Sequence, residues 1–255
     1  MNKKYTPTSI LHYCKLIGRA VLFAIALVFY IVNRVQGKVS PFGEYERLPW
    51  FLGFIWIVYA VEMLLRFFPS KIESPGCQKQ FARNYIPTGE STPRMQSWKR
   101  TFAVAMAWLG LNGLIGVLYY TKLIDAEILI LISLAYGVCD MICILFFCPF
   151  QTWFMKNRCC TTCRIYNWDF AMMFTPYIFI PHLFTWSLLA MSLVLLLSWE
   201  ITLFFHRERF SDHTNACISC KNCTEKLCFH KKQLQGFLKK YRSRFQILTQ
   251  PNKKD

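Results

Sequence analysis

The chain has 255 residues and a formal net charge of +16, with 54% apolar, 17% aromatic and 17% charged residues. The apolar residues lie in long unbroken runs, which excludes an ordinary soluble domain, a disordered chain, a collagen and a coiled coil. Twelve cysteines are too few for a small disulfide scaffold, and most fall in two tight groups, which points to metal or redox chemistry.

A membrane helix needs about 20 apolar residues, because ~30 Å of hydrocarbon is crossed at roughly 1.5 Å per residue. Segments 16–33, 49–68, 101–120 and 126–150 qualify, each flanked by Lys, Arg, Trp or Tyr of the kind that sits at headgroups. The first follows Lys3, Lys4, Lys15 and Arg19 as a signal peptide would, yet its exit offers Arg34 and Lys38 instead of a small-residue cleavage site. It is therefore read as a retained span. Glu62 stands one turn before Arg66, a spacing that predicts a self-satisfied pair with Arg66 reaching the interface. Residues 69–100, rich in Pro, Ser, Gly and basic residues, read as one hydrophilic connection. Gly110, Gly113 and Gly116 predict close helix packing along the third span. On the fourth, Cys139 and Cys143 share a helix face, and Asp140 is a carboxylate in apolar surroundings. Such a group is a candidate proton relay or ligand, or else the partner of a neighbouring helix.

The last apolar stretch, 170–205, has 36 residues, with His182 and Glu200 as its only acidic or basic side chains and Pro176 and Pro181 as interruptions. If it crosses once, the two sides of the membrane carry 14 and 16 Lys and Arg, which is no bias. If it crosses twice, or not at all, they carry 26 and 4. The second split is what the cytoplasmic retention of basic loops expects. Two full crossings and a turn need about 40 residues, so a hairpin of short legs is expected, with 172–180 re-entrant and broken at the two prolines. Both termini are then cytoplasmic. The alternative is five spans with the two cysteine groups on opposite faces.

The fold class is thus all-α: a polytopic membrane domain of 5 to 6 segments over residues 1–205 and a Cys-rich basic tail over 206–255. In the tail, Cys217, Cys220, Cys223 and Cys228 are spaced C-x2-C-x2-C-x4-C. Thiolates two residues apart wrap around a [4Fe-4S] cluster, and the same thiolates suit a tetrahedral zinc. The second group, Cys159, Cys160 and Cys163, lies among Lys156, Arg158 and Arg164, whose charges favour thiolate. It is a second metal or redox site, or an interfacial loop whose basic residues bind anionic headgroups. Histidines outside the spans leave His182 without an axial partner, which disfavours haem. The end of the tail, 231–254, is basic with apolar residues at helical spacing and suits an anionic leaflet better than nucleic acid.

The run 148–169 joined to 217–223 resembles uncharacterised bacterial multi-span proteins with cysteine motifs. It is also distantly similar to membrane iron–sulfur electron-transfer proteins of nitrate and nitrous-oxide respiration, in which a Cys-Pro motif ends a span and a ferredoxin-like loop follows. Here Cys148-Pro149 ends the fourth span, the motif is not repeated, and the final tail spacing is one residue longer. The resemblance implies electron transfer at the cytoplasmic membrane face, from a cluster on the tail cysteines to a quinone or a membrane redox partner, with Asp140 managing the coupled proton. A non-catalytic scaffold with structural zinc, and a small-solute or metal transporter, are the alternatives. No hydrolase, zinc-protease, NTPase or dinucleotide motif is present.

Overall fold

The computed structural model describes residues 6–35, 49–70, 75–157, 159–219, 222–223 and 236. The α-helices named among the described residues are α1 (Pro7–Val35), α2 (Pro49–Leu65), α3 (Pro75–Gln80), α4 (Trp98–Tyr120), α5 (Ala126–Leu145), α6 (Asp169–Phe174) and α7 (Leu183–Phe205). No strand is present among the described residues, only an isolated bridge between Pro87 and Asn215. Helices α1, α4, α5 and α7 are long and apolar enough to cross a membrane, whereas α2, at 17 residues, falls short of the expected 49–68 segment. Much of the outer surface is apolar, as lipid contact requires; Ile17, Leu109, Leu114, Leu197 and Phe204 are each more than half exposed.

Helix order follows from local signals. Asp125 caps α5 by accepting from the Ile128 amide at 3.2 Å, and Glu127 adds a carboxylate to the first turn. The α4–α5 connection is a Schellman cap: Lys122 adopts φ +61, the Leu123 amide donates to the Leu118 carbonyl, and the Lys122 amide to that of Tyr119. Helices α1 and α5 run antiparallel, with Tyr13 against Phe146 at one end and Arg34 3.7 Å from Asp125 at the other.

The stretch 170–205 divides unequally. Its descending leg is α6 followed by a 3-10 turn, Thr175–Phe179, into which Pro176 is admitted because its missing amide falls at the turn's start. The leg ends at Ile180, before Pro181, and His182 then caps α7 by accepting from the Phe184 amide. The expected pair of short legs is therefore one short leg and one full 23-residue helix. The short leg occupies the centre of the bundle, where Phe170, Phe174 and Tyr177 are buried and stack along one face, with centroids 6.3 and 5.3 Å apart. Glu200, near the end of α7, bonds to Arg164 and Trp168, just before the stretch begins. Both ends of the stretch thus lie at one end of the bundle.

Of the three glycines expected to permit close packing, only Gly116 does so. A Cβ there would collide with the Phe179 ring, while at Gly110 and Gly113 it would meet open space. Gly137 on α5 is the other close approach, with the Tyr59 hydroxyl 2.7 Å from where its Cβ would be. Gly116→Val is expected to destabilise by about 1–3 kcal/mol through overpacking. Gly110→Ala and Gly113→Ala should stay within about 0.5 kcal/mol of the parent. Thermal unfolding in detergent measures all three, and equal losses at all three positions would refute this packing.

Candidate functional site

The apolar bundle contains a chain of buried charges near one end. Arg19 on α1, 3% exposed, lies 2.6 Å from Glu62 of α2 and 3.1 Å from Asp140 of α5, and it donates to the Gly137 carbonyl at 3.0 Å. Lys15, one turn earlier, lies 3.7 Å from the other Glu62 oxygen. Arg66, just past the end of α2, lies 2.6 Å from Asp169, the first residue of α6. Both guanidiniums face the Phe170 ring, at 4.5 Å for Arg66 and 5.8 Å for Arg19. Three cations thus meet three carboxylates, which removes the net charge that would make burial in hydrocarbon prohibitive.

Glu62 and Arg66 do not form the local pair that their spacing predicts. Each instead joins a different helix, and Arg66 is buried rather than at the interface. Asp140 takes the interhelical role. Of its neighbours, Cys139 is exposed on the outer face, while Cys143 and Cys148 are half-buried.

Beyond this chain of charges, at the same end, three loops meet on the short helix α3. Gln80, 2% exposed, donates to the Thr161 carbonyl at 3.0 Å and accepts from Asn167 at 2.8 Å, so it fixes the loop that carries Cys159, Cys160 and Cys163. Asn215, fully buried, donates to the carbonyls of Lys79 and Arg209 at 3.1 and 2.9 Å, and its Oδ1 accepts from the Cys217 amide. Lys79 Nζ donates to Cys223 Sγ at 3.4 Å. Further bonds run from the Thr88 amide to the Thr214 carbonyl, from the Ala216 amide to the Ile86 carbonyl and from the Arg94 amide to Ser211. At about 1 kcal/mol each, these bonds bind the beginning of the tail to the bundle.

Within the first cysteine loop, Cys163 is buried against Val104, Met155 and Ile165. Cys160 Sγ donates to Gln151 at 3.4 Å, and Cys159 Sγ lies 3.0 Å from the Thr161 hydroxyl. Among the described residues, no three His, Cys, Asp or Glu side chains gather as ligands for one metal ion. Cys220 and Cys228, half of the expected tail motif, lie outside the described residues, as do Arg158 and nearly all of the basic stretch 231–254.

A cavity of about 630 Å³ opens beside this platform. Arg94, Arg100, Lys156 and Arg164 line it together with Cys159 and Cys163, and among the described residues Asp212 is the one carboxylate in its wall. Arg164 is spoken for by Glu200 at 2.7 Å and by the Trp98 ring at 4.8 Å. Arg94, Arg100 and Lys156 meet no carboxylate among the described residues.

No family model, no curated protein and no solved structure matches the chain. Its functional reading therefore rests on its own geometry. That geometry brings Cys217 and Cys223 onto the same helix as the Cys159–Cys163 loop through Lys79 and Gln80, and it keeps Asp140 apart from them, inside the bundle. Sequence reasoning missed Arg19, which it counted as a flanking charge; Asp169, which it left at the edge of the last apolar run; and the connectors Lys79, Gln80 and Asn215. Arg19 carried a signal: it falls within the first span and Glu62 and Asp140 within the second and fourth, so a buried cation faces buried carboxylates, whereas Asp169 stands outside the expected spans. The connectors carried none.

Proposed function

We propose that the chain is a multi-pass membrane protein with both termini on the cytoplasmic face, that residues 170–205 cross twice, and that the two cysteine groups hold a metal centre at that face. The centre is an iron–sulfur cluster serving electron transfer. Cys159, Cys160, Cys163, Cys217, Cys220, Cys223 and Cys228 are the residues that would hold it, and it would supply one-electron transfer between a reduced cytoplasmic carrier and a bilayer quinone, two such electrons with two protons giving the quinol. The observation that supports this reading is the shared seat of the two cysteine groups on α3, through Lys79 to Cys223 and Gln80 to Thr161. The excess of basic residues supports the orientation: with Arg19 and Arg66 set aside as paired inside the bundle, 24 Lys and Arg belong to the segments assigned to one side and 4 to the other.

A second reading is favoured by the bonds of Asn215 and Thr88, which already bind the tail to the bundle: zinc on the same thiolates would complete a structural brace. Anaerobic purification followed by iron, acid-labile sulfide and zinc analysis decides between them. Iron and sulfide in near-equal amounts, with visible absorbance bleached by dithionite and lost in Cys223→Ser, are expected. Zinc alone would transfer the conclusion to the brace, and absence of both metals would overturn the metal centre altogether.

The orientation has its own test. A membrane-impermeant maleimide applied to right-side-out cells should leave single-cysteine variants retaining Cys159 or Cys223 unlabelled, yet label a cysteine placed at Leu123 in the α4–α5 turn. Labelling of Cys159 and Cys223 on opposite sides would restore the five-span alternative.

A further inference from the structure

Below the cationic cavity, toward the middle of the bundle, lies an apolar groove of about 330 Å³ between α4 and α7. Val104, Trp108 and Leu109 form one wall, Leu193 and Leu196 the other, and Met172 and Ile178 belong to the short-leg floor. The cavity and the groove follow one another along three elements. On α4, Arg100 lines the cavity and Val104, one turn on, the groove. On α7, Leu203 lines the cavity and Leu196 the groove. On the 3-10 run Arg164–Trp168, the first residue lines the cavity and the last the groove. The border is the Glu200 carboxylate, which accepts from Arg164 on the cavity side and from Trp168 on the groove side.

We infer that this composite is a binding site for an anionic phospholipid, with the phosphate headgroup in the cavity among Arg94, Arg100 and Lys156 and an acyl chain in the groove between α4 and α7. Charge complementarity selects the occupant. Cations without carboxylate partners end a groove whose walls are hydrocarbon, and an amphiphile with a negative headgroup satisfies both halves at once. A soluble anion would leave the groove empty, and an apolar helix of a second copy would leave the cations without partners. Lys156 adopts φ +49, a conformation that L-residues rarely hold, at the mouth of the cavity. Cys159 and Cys163 belong to the same cavity wall, so headgroup and metal centre would be neighbours; none of the three cations is a metal ligand, and the experiment below reads lipid rather than metal.

The test is native mass spectrometry of the full chain in a mild detergent, titrated with phosphatidylglycerol or phosphatidylcholine. Phosphatidylglycerol is expected to bind at least tenfold more tightly than phosphatidylcholine. Arg94, Arg100 and Lys156 are exposed, and replacing Arg100 gives up one bond, to the Met155 carbonyl at 3.3 Å, so the melting temperature of the double variant is compared with that of the parent first. Arg100→Gln with Lys156→Gln should reduce the preference by roughly fivefold per charge. Filling the groove with Leu193→Trp should weaken both lipids while leaving their ratio unchanged. Equal affinity for the two lipids, or a preference that survives the double substitution, would overturn the inference. So would displacement of phosphatidylglycerol by millimolar inorganic phosphate, which would assign the cavity to a soluble anion. A dimer abolished by Leu193→Trp would overturn it too, by assigning the groove to a second copy. If the double variant accumulates poorly, saturable quenching of tryptophan fluorescence in the parent protein by phosphatidylglycerol with brominated chains provides the same decision, because Trp108 and Trp168 line the groove.

Discussion

Replacing Arg19 by methionine is expected to lower the melting temperature of the detergent-solubilised protein by about 10 °C, the largest effect of any single substitution in the bundle. The cause is the two carboxylates left behind rather than the lost guanidinium. Glu62 and Asp140 are held 2.6 and 3.1 Å from Arg19, and leaving a buried charge without its counter-charge costs about 3–5 kcal/mol. Arg19→Lys should rescue little, because one ammonium cannot reach Glu62, Asp140 and the Gly137 carbonyl with the spread of a guanidinium. The triple change Arg19→Met, Glu62→Gln, Asp140→Asn removes the cluster as a unit and should recover most of the loss. Lys15, half-buried beside Glu62, then extends to the headgroups. A single variant that melts like the parent would show that these charges are hydrated and not packed.

Asp169→Asn ranks second. The change keeps the shape of the side chain but takes from Arg66 the carboxylate at 2.6 Å, in a position where both side chains are about 5% exposed. About 3 kcal/mol is expected. The loss acts locally, because Asp169 begins the short leg and ends the cysteine loop, so that the loop is freed at one end while Glu200 still holds Arg164 and Trp168. Trypsin cleavage after Lys156 or Arg164 should therefore accelerate by tenfold or more while the bundle stays folded. An unchanged cleavage rate with a lowered melting temperature would place the effect in the bundle rather than the loop.

What the sequence reveals here is set by the reach of each signal. Hydropathy over about 20 residues locates α1, α4, α5 and α7, and it overextends α2, whose helix ends at Leu65 while the apolar run continues to Phe68. The prolines mark where the short leg changes from α to 3-10 and where it stops, but hydropathy alone cannot show that the second leg is full length, since both legs are equally apolar. Charge pairing is the clearest failure. A helical spacing of four joins Glu62 to Arg66 on paper, while the actual partners lie 43, 103 and 121 residues apart in sequence, and nothing in the order of residues ranks those partners. The cysteine groups were visible from spacing. Their common seat on α3 was not, because Gln80 and Asn215 are ordinary polar residues until burial forces every one of their polar atoms to find a partner.

The same separations constrain how the molecule is made. Arg19 is synthesised 43 residues before Glu62 and 121 residues before Asp140. At ~5–20 residues per second, the guanidinium waits several seconds for its first carboxylate and on the order of ten for its second. An isolated arginine well inside a helix resists the hydrocarbon by a few kcal/mol. Burial of α1 to its final depth is therefore expected to become favourable once α2 supplies Glu62 and α5 supplies Asp140. The final seating of α1 thus depends on helices made after it, and a chain halted before α5 would leave Arg19 without Asp140.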